Sequence, residues 1–238
     1  MFKFIKVLEA SLPVFNICIG IGLIIGLKLF EKEEKQFNTD KLLNSKKELL
    51  IIAIILGGFL SAALLENIYH KDFSKLGKYG ITFYGGLIFS LIFSFVYFRF
   101  SLTRTVNFLN LLVPSLFIAH SFGRIGCFFA GCCYGVNYND FFVKNLNLEG
   151  RFPVQIVESL ILILGYIISK NKINFSDRTL FYFLYYPPIR YFIEILREDD
   201  RGVFINSTLL SPSQYISLIL VLLCLIIIAV KKYKNQLL

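Results

Sequence analysis

Charge is scarce in this chain. Asp, Glu, Lys and Arg make up 17% of its 238 residues, while 56% are hydrophobic. Soluble domains carry roughly a quarter of their residues as charges, so this composition excludes an ordinary soluble protein. Histidine is scarcer still, with only His70 and His120. The five cysteines, Cys18, Cys127, Cys132, Cys133 and Cys224, contain no C-x2-C pair, so a zinc site is poorly supported by spacing and would need His120 to complete it. There is no long linker and no internal repeat. No small-residue cleavage site follows the first apolar run, so that run is expected to remain as a helix.

What is present is hydrocarbon in blocks. About twenty apolar residues are needed to cross a bilayer, and seven stretches qualify, at 11–30, 49–69, 79–98, 105–123, 153–169, 179–197 and 211–230. The expected fold is an all-α, polytopic integral membrane protein with a single domain over 1–238. An odd number of spans puts the termini on opposite sides. Lys and Arg gather in the segments 28–47, 99–104, 170–178 and 231–234, all on the side of the C-terminus. Positive residues favour the cytoplasm, which places the N-terminus outside and the C-terminus inside. The net charge of +9 attracts anionic headgroups without distinguishing one function from another, and no nucleic-acid partner is expected.

Ionisable groups are expensive within a bilayer, so their depth in each span is informative. Glu66 and Asn67 fall near the outer end of the second span, Tyr84 with Gly85 and Gly86 near the outer end of the third, and His120 with Arg124 where the fourth ends. Gln155 and Glu158 open the fifth, and Arg190, Glu194 and Arg197 share one face of the sixth. Arg190 lies roughly 10 Å deeper than Arg197 at about 1.5 Å per residue. The inner halves read as Leu, Ile, Phe and Val, with little polar beyond Ser90 and Ser94. The pattern predicts a polar cavity opening toward the outer leaflet. Plainer readings stand beside it: Glu66 and Arg197 as snorkelling end residues, Glu158 as a helix-packing residue, Arg190–Glu194 as a structural ion pair, and Pro187 and Pro188 as simple kinks.

The stretch "HSFGRIGCFFAGCCYG" at 120–135 holds most of the reactive residues. Its glycines, Gly123, Gly126, Gly131 and Gly135, imply close backbone approach or positive φ, so the segment is expected to leave the fourth span as an irregular buried turn. Exposed amides there, beside Arg124, would form an anion site. Cys127, Cys132 and Cys133 read as small buried fillers, as a disulfide pair, as a nucleophilic thiol beside His120, or as metal ligands. Close packing favours the first, and the expectation is no metal and no cofactor.

Four segments together, "YGGL" at 84–87, "GRIGCFFAG" at 123–131, "PVQIVES" at 153–159 and "RYFIEILREDD" at 190–200, resemble the motifs of the prolipoprotein diacylglyceryl transferases, in the same order. The resemblance covers roughly residues 80 to 200. It implies transfer of the diacylglyceryl group of phosphatidylglycerol to the lipobox cysteine in the signal peptide of a prolipoprotein, with release of glycerol phosphate, at the outer leaflet side of a bacterial plasma membrane. By the same resemblance, Arg124 and Arg190 hold the lipid phosphate and Glu194 orients Arg190 or Arg197. Gly85, Gly86, Gly123, Gly126, Cys127, Gln155, Glu158 and Arg197 line the substrate site. Two positions depart from the family pattern: its histidine before the paired glycines is Tyr84 here, and its asparagine after G-R-I-G is Cys127. Tyrosine's ordinary pKa near 10 makes it a poor base at neutral pH, though Tyr84 can still serve the catalytic site by donating a hydrogen bond to phosphate. His120, one turn before Arg124, is the candidate for base or orienting duty, and its plainer reading is a helix-end residue bonded to a free carbonyl.

Three other functions fit parts of the pattern. A relative on the same fold would use another acceptor or lipid. A non-catalytic lipid or anion binder, or a transporter, calls for polar residues through the inner halves. A thiol-redox membrane protein would depend on Cys127, Cys132 and Cys133 and not on Arg190.

Overall fold

The computed structural model of the chain describes residues 11–37, 47–77, 80–137, 150–199, 202 and 210–236. Among these residues it is helical, with only two isolated β-bridges and no strand. The helices are α1 (Ser11–Gln36), α2 (Lys47–His70), α3 (Phe83–Tyr97), α4 (Leu102–Ala130), α5 (Val154–Asn171), α6 (Arg178–Ile195) and α7 (Pro212–Gln236), with a single 3-10 turn at Phe175–Asp177 before α6. Five of them, over Pro13–Gln36, Lys47–His70, Leu102–Ala130, Val154–Asn171 and Pro212–Val230, are long and apolar enough to cross a membrane, and Phe83–Tyr97 is a shorter apolar helix. α6 carries Arg178, Arg190 and Glu194 within its length. Residues 1–10, and 138–149 between α4 and α5, lie outside the described residues.

α4 is the axis of the bundle. Its Phe108, Leu111 and Phe117 are completely buried, and it packs chiefly on α1 and α5, while α2 pairs with α3 and α6 with α7. Large apolar side chains such as Ile24, Leu56, Leu160, Phe192 and Ile226 point outward. In water that distribution would be a large unpaid apolar surface; against lipid tails it is the matching one.

Small residues set how closely the helices approach. A β-carbon on Gly85 would lie 2.6 Å from the Ser61 carbonyl oxygen and 2.7 Å from the Ala62 α-carbon, because α2 and α3 meet there backbone to backbone. Alanine at Gly85 would therefore force the helices apart, at a cost of about 1–3 kcal/mol. Gly86 faces Gly58 in the same seam.

Two expectations are corrected by the structure. The segment from Gly123 does not leave the helix as an irregular turn, because α4 continues unbroken to Ala130 and, of the segment's four glycines, Gly131 alone adopts a left-handed conformation, at φ 68°. Gly126 lacks a side chain for a packing reason, since α1 passes close enough to place Phe15 and Cys18 within 3.1–3.2 Å of a β-carbon there. His120 is consequently an interior residue of α4 and not its end.

The second correction concerns the end of the bundle away from Arg124, which is not purely apolar. α1 runs beyond residue 30 and carries Glu33 into the interior, fully buried. There Arg178 Nη1 donates to its Oε2 at 2.5 Å and Lys170 Nζ lies 3.0 Å from Oε1. Asn110 Oδ1 accepts from the Thr179 backbone N–H at 2.9 Å and from its hydroxyl at 2.6 Å, which satisfies a free donor at the start of α6. Charges that the sequence assigns to a loop are tolerated here because they neutralise one another.

Candidate active site

Three helices converge on one carboxylate. Glu158, one turn into α5, is 1% exposed. Its Oε2 lies 2.5 Å from Arg124 Nη2 on α4 and 3.5 Å from Arg190 Nη1 on α6. Its Oε1 accepts a hydrogen bond from the Tyr186 hydroxyl at 2.9 Å. The spacing on α6 explains the last contact, since Tyr182, Tyr186, Arg190 and Glu194 recur every fourth residue and so face the same way.

From there the charges alternate. Arg190 Nη2 pairs closely with Glu194, Glu194 lies 4.0 Å from Arg197 Nη1, and Arg197 donates to both oxygens of Asp199 from Nε and Nη2 at 2.8 and 2.6 Å. The result is a row of Arg124, Glu158, Arg190, Glu194, Arg197 and Asp199, formally neutral and almost wholly buried. Arg190–Glu194 is thus an ion pair, as the plainer reading held, and it is also part of a larger array. Low dielectric makes each member costly to remove, because its neighbours would be left uncompensated.

Next to this row runs a cavity of about 340 Å³. Its walls come from α1 (Phe15, Ile19, Leu23), α2 (Ile55, Phe59), α3 (Leu87, Leu91) and α4 (Leu112, Leu116). Along α4 the lining extends from Leu109 to Cys127, roughly 27 Å at about 1.5 Å per residue. The polar groups His120, Arg124 and Cys127 lie toward one end of that wall. A long hydrocarbon slot with a buried guanidinium toward one end has the chemistry of an anionic lipid site: tails in the apolar part, phosphate on the arginine.

His120 sits where α3 and α6 meet α4. Its ring stacks on Phe83, with centroids 3.8 Å apart and planes 6° off parallel, and meets the Tyr186 ring edge-on at 4.9 Å. Its Nδ1 is buried and has no hydrogen-bond partner among the described residues. The plainer reading of a helix-end residue bonded to a carbonyl is not what the structure contains. The residue lines the cavity.

Other expected residues have committed their groups elsewhere. The Tyr84 hydroxyl shares a 2.7 Å hydrogen bond with Ser217 on α7, and its ring belongs to the buried aromatic core beside Tyr182 and Tyr186. In this fold Tyr84 packs in the aromatic core. Tyr84→Phe is expected to lose about 0.5–1.5 kcal/mol of stability and to keep turnover within a few-fold of wild type, as thermal unfolding and a product assay would show. Gln155 Nε2 donates to the Cys132 carbonyl at 2.6 Å and so holds the segment after α4. Gly86, Gly123 and Cys127 line the cavity, whereas Gly85 and Gly126 serve helix packing.

Sequence reasoning missed two groups of residues. The α1 wall of the cavity escaped because Phe15, Ile19 and Leu23 lie in a run without polar contrast, where no face stands out. Tyr186 was within reach, since it precedes Arg190 by four residues on a face already marked by charge.

Comparison with known proteins bears on this site. The family model for prolipoprotein diacylglyceryl transferase matches residues 3–230. The chain is similar to the phosphatidylglycerol–prolipoprotein diacylglyceryl transferase of Clostridium tetani, 30% identical over 93% of this chain and 94% of that one. It is 30% identical to transferase 2 of the same name from Clostridium perfringens, over 93% of this chain and 92% of the relative. The Streptococcus suis enzyme of that name is 28% identical over 98% and 92% respectively.

Proposed function

The chain belongs to the prolipoprotein diacylglyceryl transferases, a bacterial membrane enzyme family, and on that premise we propose that it transfers diacylglycerol from phosphatidylglycerol to a prolipoprotein cysteine. The observation that carries this reading is the apolar cavity with Arg124 and His120 on its wall. Likeness names the reaction class, and the cavity supports the roles proposed for these residues.

The acyl chains occupy the slot between α1, α2, α3 and α4, and the phosphate meets Arg124. Behind Arg124, Glu158 holds the guanidinium in place and Arg190 adds positive potential across the same carboxylate. The acceptor is the lipobox cysteine of a signal peptide, whose thiolate attacks the terminal diacylglyceryl carbon. One C–S bond forms, one C–O bond breaks, and both bonding electrons leave with glycerol phosphate. Negative charge therefore grows on the phosphate oxygen during the step, where a buried guanidinium is worth more than in water. The thiol must first lose its proton, because the thiolate is the nucleophile. His120 is the proposed acceptor of that proton, since it lines the cavity beside Arg124. Arg197, tied to Asp199 and Glu194, holds the far end of the array. The seven helices all span the plasma membrane in this reading, with the N-terminus outside and the site facing the outer leaflet, where both substrates arrive.

The test is a product assay on purified protein with phosphatidylglycerol and a lipobox peptide. Lipidated peptide and glycerol phosphate are expected in equal amounts, and His120→Ala is expected to lower the rate by about 10²- to 10⁴-fold without loss of helical content. Absence of lipidated peptide from the wild-type reaction would overturn the assignment of acceptor. Full activity in His120→Ala would remove the histidine from the mechanism.

A further inference from the structure

The three cysteines after Arg124 are drawn together by the way α4 ends. Gly131 N–H bonds to the Phe128 carbonyl at 3.2 Å and Cys132 N–H to the Cys127 carbonyl at 3.2 Å. This pair of bonds, with Gly131 left-handed, closes the helix and folds residue 132 back over residue 127. Cys133 follows at φ 60°, a conformation that a β-carbon disfavours and that turns its side chain back as well. The segment is then pinned twice, by Gln155 on the Cys132 carbonyl and by Val136 N–H on the Leu196 carbonyl at 2.9 Å. The sulfurs of Cys127, Cys132 and Cys133 consequently all lie within 4.8 Å of one another. All three are free thiols, with Cys132 exposed and the others half-buried.

We propose that Cys127, Cys132 and Cys133 form a binding site for a single thiophilic cation of the Zn²⁺ or Cu⁺ type at the rim of the lipid cavity. With metal–sulfur bonds of about 2.3 Å, three thiolates around one ion sit roughly 3.8–4.0 Å apart, so the described triangle needs only a small contraction. The C-x4-C spacing that argues against zinc in an extended chain is overcome by the helix terminus. Three thiolates and a divalent ion carry one net negative charge, and a guanidinium lies beside the site. Arg124 Nη1 lies 3.9 Å from the Cys127 sulfur. Binding releases the thiol protons to solvent and leaves a fourth position for water through the exposed side of Cys132. The ion takes no part in the transfer reaction.

The test uses the full-length protein in detergent, reduced and then freed of reductant without oxygen, and titrated with Cd²⁺. A thiolate-to-cadmium charge-transfer band in the ultraviolet is expected to saturate at one ion per chain and to be displaced by Zn²⁺. Mass mapping after alkylation is expected to show Cys127, Cys132 and Cys133 protected together by the ion, and Cys18 and Cys224 unaffected by it. This readout comes from the wild-type chain and does not depend on a variant folding. Cys132→Ser and Cys133→Ser are each expected to weaken the ion by about tenfold or more, with Cys18→Ser unchanged. A wild-type chain with no saturable band, protection of fewer than three thiols, or thiols recovered as a disulfide that takes up no cation would overturn the proposal.

Discussion

Arg124→Ala is expected to lower kcat/KM for phosphatidylglycerol by about 10²- to 10³-fold, the range for loss of one well-placed donor to a developing oxyanion, or about 3–4 kcal/mol. The variant is also expected to lose stability, by about 3–5 kcal/mol for a buried array left without one partner, although Glu158 keeps Arg190 at 3.5 Å and the Tyr186 hydroxyl at 2.9 Å. Arg124→Lys is expected to restore only part of the loss. An ammonium cannot bridge Glu158 and a phosphate in one plane as a guanidinium does. Steady-state rates across lipid concentration, with circular dichroism as the check on folding, measure both effects. Activity in Arg124→Ala within threefold of wild type would place the phosphate elsewhere.

The second large effect is on Glu158. Glu158→Ala leaves Arg124 and Arg190 buried and facing each other, with Glu194 still paired to Arg190 but the ion-pair partner of Arg124 gone. Removing one partner from a buried ionic array costs about 3–5 kcal/mol, so a marked drop in thermal stability in detergent is expected together with loss of turnover. Glu158→Gln keeps the hydrogen bond from Tyr186 but not the charge. It is expected to recover part of the stability and little of the activity, because both arginines lose the anion that positions them. A Gln variant as active as wild type would reduce Glu158 to a packing residue. Charge balance has a further consequence for the substrate: an anionic phosphate entering beside Arg124 meets a row that is already neutral, so its affinity comes from the free side of one guanidinium and from the apolar slot.

Much of this was legible in the sequence, for a physical reason. A bilayer punishes misplaced polar groups, so those that persist in apolar runs mark the interior. Arg124, Glu158, Arg190 and Glu194 were all visible in this way, and the structure joins them in one array. What the pattern could not show was which partner each group had chosen. Tyr84 stands at the position of the family histidine, yet its hydroxyl is bonded to Ser217, far along the chain. Gln155, expected in the substrate site, donates to the Cys132 backbone carbonyl. Glycines were misleading in a different way: helical packing and turn formation both select them, so Gly123 and Gly126 suggested a broken helix where α4 is continuous. Glu33 was assigned to a loop because α1 was ended at the last strongly apolar residue, and only its pairing with Lys170 and Arg178 makes the longer helix tolerable. The α1 wall of the cavity had no signal at all, since lipid-facing and cavity-facing sides of an apolar helix have the same composition.

The central claim is that the cavity reads its lipid through Arg124, and lipid binding to the purified protein, measured by native mass spectrometry, tests it without requiring an acceptor. Wild type is expected to retain phosphatidylglycerol in preference to uncharged diacylglycerol, and Arg124→Ala is expected to lose that preference while still binding diacylglycerol. An unchanged preference for phosphatidylglycerol in Arg124→Ala would contradict the account.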